Sequence, residues 1–361
     1  MRYAADALRD AAVSLLAAAG LDEPLARDVA DVLVEGDLLG HDTHGLALLA
    51  PYLAELEAGR MARQGSYRVI RERGAAALWD GGRLPGPWLT LRAIDSAIEM
   101  SRRFGSGTVV VRRSHHIACL AAYLTRATDR GFVLLLTCSD PNSASVAPHG
   151  GLKPVFTPDP IAFGAPTSAE PVLIDLSASL TTNGMTARLH RRGRALTHQW
   201  LLDAAGHATN DPGVLFSEPK GTILPAGGLD AGHKGYALAL IVELLTGGLA
   251  GLGRADATEG WGATVTVQVW DPEAFGGTAS LVRQADWLVQ ACRLNPPRPG
   301  IDAVRVPGQR GLARRREQLE RGIELQEDIV PGLTPWAEKL GVRWPAALGT
   351  AEAEPRPAEP R

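Results

Sequence analysis

The stretch LTLRAIDSAIEMSRRFGSGTVVVRRSHHIACLAAYLTRATDRGFVLLL, residues 89–136, decides the fold class. Its apolar spacing predicts an amphipathic helix over 89–104, a strand over 107–111, a helix over 118–128 and a strand over 132–136. Helices that alternate with apolar strands are typical of layered α/β folds. The sequence therefore predicts a mixed α/β (α+β) fold built around a central mixed β-sheet.

Apolar runs on both sides of this stretch predict the remaining members of the sheet. The additional strands are expected at 69–70, 75–79, 161–165, 172–175 and 263–270. A strongly apolar helix is expected over 235–246. Residues 139–160 form a long polar loop, and loops of that length inside a compact domain are usually functional.

The two ends of the chain are predicted to be helical. Residues 1–67 and 290–345 are expected to form one helical domain, because helical spacing recurs near the N-terminus and a charged helical pattern follows residue 310. Residues 68–289 then form the mixed α/β binding region. Residues 346–361 are expected to be a disordered tail, since 351–361 contain almost no residues that could bury apolar area.

Composition excludes several classes of protein. The chain has 361 residues, 45% of them hydrophobic and 21% charged, and a net charge of −3, which excludes a disordered, collagen-like or coiled-coil chain. The weakly acidic charge balance argues against a nucleic-acid partner, which would require a basic surface. Three widely spaced cysteines argue against a disulfide framework and favour a cytoplasmic location. No apolar run approaches the roughly 20 residues of a membrane helix, so no membrane partner is expected.

Common nucleotide and nucleophile motifs are absent from the sequence. The nearest glycine pair, Gly105-Ser106-Gly107, precedes a predicted strand, whereas the Rossmann fingerprint follows one. Neither a Walker A sequence nor a G-x-S-x-G elbow occurs. The fold is therefore not expected to be a Rossmann fold.

Histidines cluster at two predicted element boundaries, in His41-Asp42-Thr43-His44-Gly45 and Ser114-His115-His116-Ile117. Imidazole titrates near neutral pH, so such clusters suit proton transfer, although a buried histidine can also be purely structural. His41, His44 and His116 could alternatively bind a metal and serve a metal-dependent hydrolase. The acidic residue of an H-E-x-x-H helix is missing from this context.

Three charged residues are further candidates. Lys234 lies between glycines at the start of an apolar helix, where a phosphate or carboxylate could bind, or it is simply solvated. Asp175 ends a predicted strand, where dinucleotide enzymes hold a ribose hydroxyl, or it caps a turn. Asp211 precedes a proline in a predicted loop and could be an ordinary turn residue.

An ordered set of short motifs covers about residues 10–345. In chain order the motifs are GHDTHG (40–45) with PY (51–52), SHHI (114–117) with AY (122–123), APHGG (147–151), PDPIA (158–162), DLSAS (175–179), TNDP (209–212), LPAGG (224–228), HKGYAL (233–238) and VPG (306–308). In this order they resemble the non-Rossmann malate/L-lactate dehydrogenase family. That family includes ureidoglycolate and sulfolactate dehydrogenases, diketogulonate reductase and cyclic-imine carboxylate reductases.

The resemblance implies an NAD(P)-dependent oxidoreductase that acts on a small 2-hydroxy or 2-oxo acid and forms a homodimer. His44 matches the family's proton donor and acceptor, with Thr43 or Asp211 as a relay that fixes its tautomer. His116 matches a second active-site histidine, which contacts the substrate or serves as the base. No resident metal is implied.

The resemblance also implies the cofactor contacts. The matching positions are Ser139, Asp159, Asp175, Leu176, Ser177, Lys234, Pro307 and Gly308. Asp159 stands where the family commonly has asparagine. No arginine that could bind a 2′-phosphate follows Asp175 before Arg188, which favours NAD slightly over NADP.

Leu48 departs from the family pattern at a substrate position. Family members commonly carry an arginine there, which pairs with the substrate carboxylate. Either Arg112, Arg113 or Arg188 replaces it, or the substrate lacks that carboxylate. The second possibility favours a cyclic imine reductase, or a ligand-binding homologue that has lost catalysis.

Overall fold

The computed structural model describes residues 1–256 and 259–349, so residues 350–361 of the predicted tail lie outside the described residues. The α-helices in this part are α1 (Ala5–Ala18), α2 (Glu23–Leu39), α3 (Leu49–Glu57), α4 (Gly86–Phe104), α5 (Thr125–Thr128), α6 (Asn183–Arg191), α7 (Gly228–Glu243), α8 (Thr278–Arg293), α9 (Gln309–Arg321) and α10 (Ile329–Leu340). The strands are β1 (Arg2–Tyr3), β2 (Arg68–Arg73), β3 (Ala76–Asp80), β4 (Ser106–Ser114), β5 (Val133–Ser139), β6 (Pro160–Ala165), β7 (Val172–Ser177), β8 (Leu201–Leu202), β9 (Ala208–Thr209), β10 (Thr222–Ile223), β11 (Ala263–Trp270) and β12 (Ile323–Glu324). None of the described helices is both long and apolar enough to cross a membrane.

A seven-stranded mixed sheet forms the centre of the fold, in the order β2-β3-β4-β11-β5-β6-β7. Strands β3 and β4 are parallel, and the other neighbours are antiparallel. The central strand β11 pairs Val267 with Val109 on one side and with Leu136 on the other. The predicted mixed α/β fold is confirmed, and each strand predicted for this sheet is present.

Helix α4 packs against the sheet and explains the strong periodicity of its sequence. Its buried residues Ile94, Ala97 and Ile98 recur at three- and four-residue spacing, so they form one apolar face. Burying such a face removes apolar surface from water. This stabilises the folded state by about 1.5–3 kcal/mol for each large aliphatic side chain. Strand β4 follows directly and ends at Ser114, so the sheet positions the His115-His116 segment.

The N-terminal strand pairs with a strand of the C-terminal segment. Strand β1 pairs with β12 through Arg2 with Glu324 and Tyr3 with Ile323. On the neighbouring α9, Gln318 donates from Nε2 to the carbonyl oxygens of Asp37 and Leu38 at 2.8 and 3.0 Å. The C-terminal segment therefore packs against α2, although the proposed domain boundaries at 67, 289 and 345 stay a prediction.

A smaller apolar cluster lies beside the main core. It is formed by Val146, Phe156, Ala178, Leu196, Leu201, Ile223 and Ala239. Strands β8, β9 and β10 form a three-stranded antiparallel sheet here, in the order β10-β8-β9. Part of the long 139–160 loop is thus anchored in this cluster.

Some helix boundaries differ from the sequence prediction. The predicted helix over 118–128 is wrong at its start, because Ala118 has a φ of 59° and a 3₁₀ turn over Leu120–Tyr123 precedes α5. The predicted helix over 235–246 begins earlier, as α7. Helices α6 and α8 are not among the elements predicted from the sequence. Only Ala285 of α8 is buried, so the other apolar side chains of α8 do not pack into the core that the described residues form.

Candidate active site

A short loop between α2 and α3 carries His44. Helix α2 ends at Leu39 and is followed by Gly40 with a φ of 86°, and the backbone N–H of His44 donates to the carbonyl of His41 at 2.8 Å. The buried carboxylate of Asp37 accepts from the N–H of Leu46 at 2.7 Å, which ties the far end of the loop back to α2. The loop is therefore anchored on both sides of His44.

Thr43 is the hydrogen-bonding partner of the His44 ring. Its Oγ1 lies 2.8 Å from His44 Nδ1, so Nδ1 is engaged and Nε2 remains for chemistry. Burial, together with a smaller effect of the nearby His41, lowers the pKa of His44 to about 4. His44 is therefore a neutral imidazole near pH 7.

Asp42 connects this loop to two distant segments. Arg188 donates to Asp42 Oδ1 at 2.8 Å and to its carbonyl oxygen at 2.7 Å, and Gln326 Nε2 donates to Oδ2 at 2.5 Å. Arg188 is buried in this contact. It could bind a substrate carboxylate only by giving up Asp42, so it serves here to hold the loop.

Arg112 and Arg113 are engaged in a similar way. Both guanidinium groups pair with Asp80, at 3.3 and 2.7 Å. The structure therefore gives each of the three arginines considered as a replacement at Leu48 a carboxylate partner within the chain. Leu48 itself is half-buried in the 3₁₀ turn that precedes α3.

His116 is held from two sides. Tyr52 Oη lies 2.9 Å from His116 Nδ1, and the backbone N–H of Ala118 donates to the same nitrogen at 3.2 Å. The Trp261 ring lies 4.6 Å from the His116 ring, centroid to centroid, with an interplanar angle of 30°. Burial lowers the pKa of His116 well below its usual value. His116 is thus also neutral.

The structure brings the two predicted active-site histidines together. The ring centroids of His44 and His116 are 5.9 Å apart, and the rings are inclined by 27°. Tyr52 and Trp261 complete this cluster, and neither is among the site residues predicted from the sequence. Tyr52 lies in a helical apolar pattern that also fits an ordinary core residue, and Trp261 lies in a loop without a recognisable motif.

A cavity of about 500 Å³ contains four of the predicted cofactor positions. They are Asp175, Leu176, Pro307 and Gly308. Asp175 Oδ2 accepts from the N–H of Ala121 at 2.9 Å, and burial raises the pKa of this carboxyl. His41 also lines the cavity, so it adjoins the loop that carries His44. Arg310 and Arg314 line the cavity from α9 and are not among the site residues predicted from the sequence.

The potential metal ligands that lie close together differ from the three histidines, His41, His44 and His116, of the metal-dependent hydrolase alternative. Among the described residues, one group of three places its ligand atoms within 4.8 Å of one another, and it consists of His41, Cys119 and Asp175. His44 and His116 are not members of this group. The structure therefore does not gather the three histidines that the hydrolase hypothesis requires.

Ser139 and Asp159 belong to a second, buried polar network. Ser139 Oγ donates to Glu243 Oε1 at 2.6 Å and accepts from Arg254 Nη2 at 3.1 Å. Asp159 Oδ1 accepts from Thr157 Oγ1 at 2.5 Å. Asp159 is fully buried, and burial raises its pKa to about 8. Within the described residues these two predicted cofactor positions have protein partners of their own.

The remaining predicted residues are more exposed. Lys234 is exposed on α7, and Ser177 ends β7 with its Oγ donating to the carbonyl of Ser179 at 2.9 Å. Asp211 is exposed, and its Oδ1 accepts from the N–H of Gly213 at 2.8 Å. The structure assigns Asp211 to a turn, and its relay to His44 stays a prediction.

Comparison with known proteins decides the family. The family model for malate/L-lactate dehydrogenase matches residues 3–334. The chain belongs to the malate/L-lactate dehydrogenase family. It is therefore an oxidoreductase that acts on CH–OH groups, and the dehydrogenases of this family depend on pyridine nucleotides.

Several family members are similar over nearly their whole length. The L-lactate dehydrogenase of Cupriavidus necator is 30% identical over 96% of this chain and 100% of that protein. The structure of malate dehydrogenase from Pyrococcus horikoshii superposes with a TM-score of 0.87 at 26% identity, over 95% of this chain and 97% of that one. The structure of delta1-piperideine-2-carboxylate reductase from Pseudomonas syringae superposes with a TM-score of 0.81 at 26% identity, over 93% of this chain and 100% of that one.

The buried carboxyl of Asp37 predicts how stability depends on pH. Burial raises its pKa in the folded protein to about 7, whereas an unfolded aspartate titrates near pH ~3.9. Between these values the folded state keeps a proton that the unfolded state releases, so rising pH favours unfolding. From about pH 5 to about pH 8 we expect Asp37 to lower the free energy of unfolding by about 2–3 kcal/mol.

Denaturant titrations at several pH values measure this effect. Asp37→Asn keeps an oxygen acceptor for the Leu46 N–H but cannot ionise, so its stability is expected to depend less on pH. Asp6→Asn changes an exposed carboxyl on α1 and serves as the control, with the pH dependence of the wild type. Equal slopes for Asp37→Asn and the wild type would contradict this account of Asp37.

Proposed function

We propose that this protein transfers hydride between a nicotinamide cofactor and a small 2-hydroxy or 2-oxo acid, with His44 as the proton donor and acceptor. The observation that carries the proposal is the position of the His44 loop. The loop places one neutral imidazole next to His116, and its His41 lines the cavity that contains Asp175, Pro307 and Gly308. Proton-transfer and dinucleotide-binding groups thus adjoin one another.

The proton chemistry of His44 follows from its protonation state. Oxidation of an alcohol requires a base that takes the hydroxyl proton, and neutral His44 supplies one. In reduction the substrate oxygen becomes an alkoxide, and protonated His44 returns the proton to it. Because Thr43 occupies Nδ1, the proton moves through Nε2. His44 therefore serves both directions from one position.

The residues around the cavity fit a dinucleotide. When bound, the nicotinamide ring supplies or accepts the hydride. The carboxyl of Asp175 suits ribose hydroxyls, whereas Arg310 and Arg314 suit a phosphate. Among the described residues neither arginine has an ion-pair partner. The cofactor is proposed to be NAD or NADP. The absence of a nearby arginine in the sequence no longer favours NAD, since these two arginines reach the cavity from α9.

The proposed substrate class depends on Leu48. Arg112, Arg113 and Arg188 are each held by a carboxylate, so Leu48 leaves an apolar surface where a second substrate carboxylate would need a cation. This favours a 2-oxo acid with an apolar side chain over a dicarboxylate. The same observation favours a second candidate, reduction of a cyclic imine, which is the activity named for the Pseudomonas syringae reductase.

An exposed apolar surface supports the proposal of a homodimer. Five leucine and isoleucine side chains on α7 and the turn after it are 39–66% exposed: Leu229, Leu240, Ile241, Leu244 and Leu249. Apolar patches of this kind commonly mark subunit interfaces. The protein is proposed to function as a homodimer in the cytoplasm. Size-exclusion chromatography with light scattering would test for the dimer.

Consumption of reduced cofactor tests the proposed function. NADH and NADPH are offered in parallel with a panel of 2-oxo acids and cyclic imines, and binding of each dinucleotide is measured by calorimetry. Turnover of a 2-oxo acid is expected, and turnover of imines alone selects the second candidate. Binding without turnover indicates a homologue that has lost catalysis. The absence of binding by either dinucleotide would contradict the proposal.

Substitution at Leu48 tests the substrate class. Leu48→Arg places a guanidinium at the start of α3, and a charge-assisted bond to a carboxylate contributes about 1.5–3 kcal/mol. We therefore expect kcat/KM for a dicarboxylic 2-oxo acid to rise about tenfold or more, while that for a monocarboxylic one with an apolar side chain does not rise. Leu48→Met is the uncharged control, with no expected change in preference. Equal effects on both substrates would show that Leu48 does not face the substrate side chain.

A further inference from the structure

We propose that His41, Cys119 and Asp175 form a zinc site at the cavity that contains Asp175, Pro307 and Gly308, and that Zn²⁺ bound there excludes the dinucleotide. The metal site does not depend on the hydride-transfer function, whereas its regulatory role rests on that proposed function. Hydride and proton transfer as described above use neither the Cys119 thiol nor the His41 imidazole.

The three donor atoms lie close enough together for one metal ion. A ring nitrogen of His41, the sulfur of Cys119 and a carboxylate oxygen of Asp175 all lie within 4.8 Å of one another. Cys119 Sγ is 3.9 Å from Asp175 Oδ2. In a tetrahedral zinc site, with sulfur about 2.3 Å and oxygen about 2.1 Å from the metal, these two ligands are about 3.6 Å apart. Small side-chain rotations therefore suffice to close the site around Zn²⁺.

Each ligand comes from a separately anchored segment. His41 follows α2, and its backbone N–H donates to the carbonyl of Gly36 at 2.8 Å. Cys119 is a buried free cysteine at the start of the 3₁₀ turn before α5. Asp175 lies on β7, and its Oδ2 accepts from the N–H of Ala121 at 2.9 Å. Hydrogen bonds of this kind orient a carboxylate for a metal. The fold thus brings the three donors together before any ion binds.

Asp175 has no cationic partner in the part of the chain that the structure describes. Its Oδ2 is bonded to the Ala121 N–H and faces the Cys119 thiol, and no lysine or arginine of the described residues pairs with it. A carboxylate that is partly removed from water is stabilised by a cation or a metal. Asp175 is therefore available as a metal ligand.

The donor set selects zinc among the common divalent cations. Thiolate and imidazole ligands suit Zn²⁺, whereas Mg²⁺ and Ca²⁺ require oxygen ligands. The thiolate and the carboxylate together balance the two positive charges of the ion. Arg310 and Arg314, which line the same cavity, would repel a cationic site but do not oppose a neutral one. The cavity leaves the fourth position open to solvent.

Zinc and the dinucleotide require the same space and the same carboxylate. His41 and Asp175 both line the cavity of about 500 Å³. A carboxylate that ligates Zn²⁺ is a weaker acceptor for ribose hydroxyls, and the ion with its solvent ligand occupies part of the cavity. The two ligands are therefore expected to exclude each other.

Calorimetric titration of the metal-free protein with zinc chloride tests the site. We expect about one tightly bound Zn²⁺ per chain. Cys119→Ser should weaken binding by about 100-fold or more, because a hydroxyl is a much poorer zinc ligand than a thiolate. Cys292→Ser changes the exposed thiol of α8 and is the matched control, with an affinity within about twofold of the wild type. No zinc binding, or equal affinities of Cys119→Ser and the wild type, would overturn the site.

Cobalt(II) in place of zinc identifies the ligands even if Cys119→Ser fails to fold. A tetrahedral cobalt site with a thiolate ligand has a sulfur-to-metal charge-transfer band in the near ultraviolet and intense visible bands, because both depend on ligand type and geometry. We expect these bands in the Cys292→Ser protein, which lacks the exposed thiol. A cobalt spectrum without the charge-transfer band would overturn the thiolate site.

Dinucleotide titrations with and without zinc test the regulatory role. Zinc at ten times its own Kd should raise the apparent Kd of NADH and NADPH by about tenfold in the wild type and in Cys292→Ser, as expected for mutually exclusive ligands. In Cys119→Ser the same zinc concentration should leave both values unchanged. Zinc that binds without weakening either dinucleotide would overturn the regulatory role. If neither dinucleotide bound in the absence of zinc, the regulatory role would fail together with the proposed function, while the zinc and cobalt titrations would still decide the metal site.

Discussion

His44→Ala is expected to lower kcat by about 1,000-fold in both directions and to leave dinucleotide affinity within about twofold of the wild type. Removing the imidazole leaves no group in its place to exchange a proton with the substrate oxygen. Its half-buried ring lies beside His116, whereas the predicted dinucleotide contacts Asp175 and Gly308 line the neighbouring cavity. Steady-state kinetics together with calorimetric titration of NADH and NADPH measure both quantities.

The dependence of rate on pH supports the same assignment. Burial lowers the pKa of His44 to about 4, so alcohol oxidation, which needs the neutral ring, should lose rate only as the pH falls towards that value. Reduction needs the protonated ring and should become faster as the pH falls. Thr43→Val, which removes the hydroxyl bonded to Nδ1, is the matched control and should reduce the rate less than His44→Ala. A His44→Ala enzyme within tenfold of the wild type would exclude His44 as the proton donor.

Gly86→Ala is expected to destabilise the protein by about 3 kcal/mol, because extra atoms in a packed site force the backbone to move. Gly86 begins α4, and a Cβ atom there would lie 2.3 Å from the carbonyl oxygen of His115 and 2.4 Å from that of His116. Both contacts are with backbone, which cannot move aside as a side chain does. The segment that positions His116 must therefore shift.

The matched control is Gly332→Ala in α10. A Cβ atom at Gly332 would have no neighbour within 4 Å, and alanine favours a helix by about 1 kcal/mol over glycine. Denaturant unfolding should show Gly332→Ala to be as stable as the wild type or more so. Activity below the unfolding transition should fall in Gly86→Ala alone. Similar stabilities of the two variants would contradict the close approach at Gly86.

The fold could be predicted from local patterns wherever those patterns reflect burial. Helix α4 and strands β4, β5 and β11 bury residues at regular spacing, and each was expected at nearly its observed position. The segment after His116 could not be predicted in this way. Ala118 and Cys119 read as part of a helix, but the contact of the Ala118 N–H with His116 requires a turn. That contact between a side chain and a nearby backbone N–H outweighs the helix propensity of the segment.

Only the site residues that belong to the sequence motifs could be predicted. The motifs named His44, His116, Asp175 and Gly308, which the structure places in two adjoining groups. The motifs did not indicate which residues long-range packing brings to the site or removes from it. Arg188 meets Asp42 across 146 residues, which removes it as a free cation. Arg310 and Arg314 reach the Asp175 cavity only because α9 packs against α2, a contact without a local signature.

Transfer of deuterium from the cofactor tests hydride transfer and the role of His44 together. NADH and NADPH carrying deuterium at the transferred position of the nicotinamide are incubated with the wild-type protein and a pool of 2-oxo acids and cyclic imines, and products are analysed by mass spectrometry. We expect a reduced product with one deuterium on the former carbonyl or imine carbon, made by the wild type and not by His44→Ala. No deuterated product from either cofactor, or equal amounts from both proteins, would contradict it.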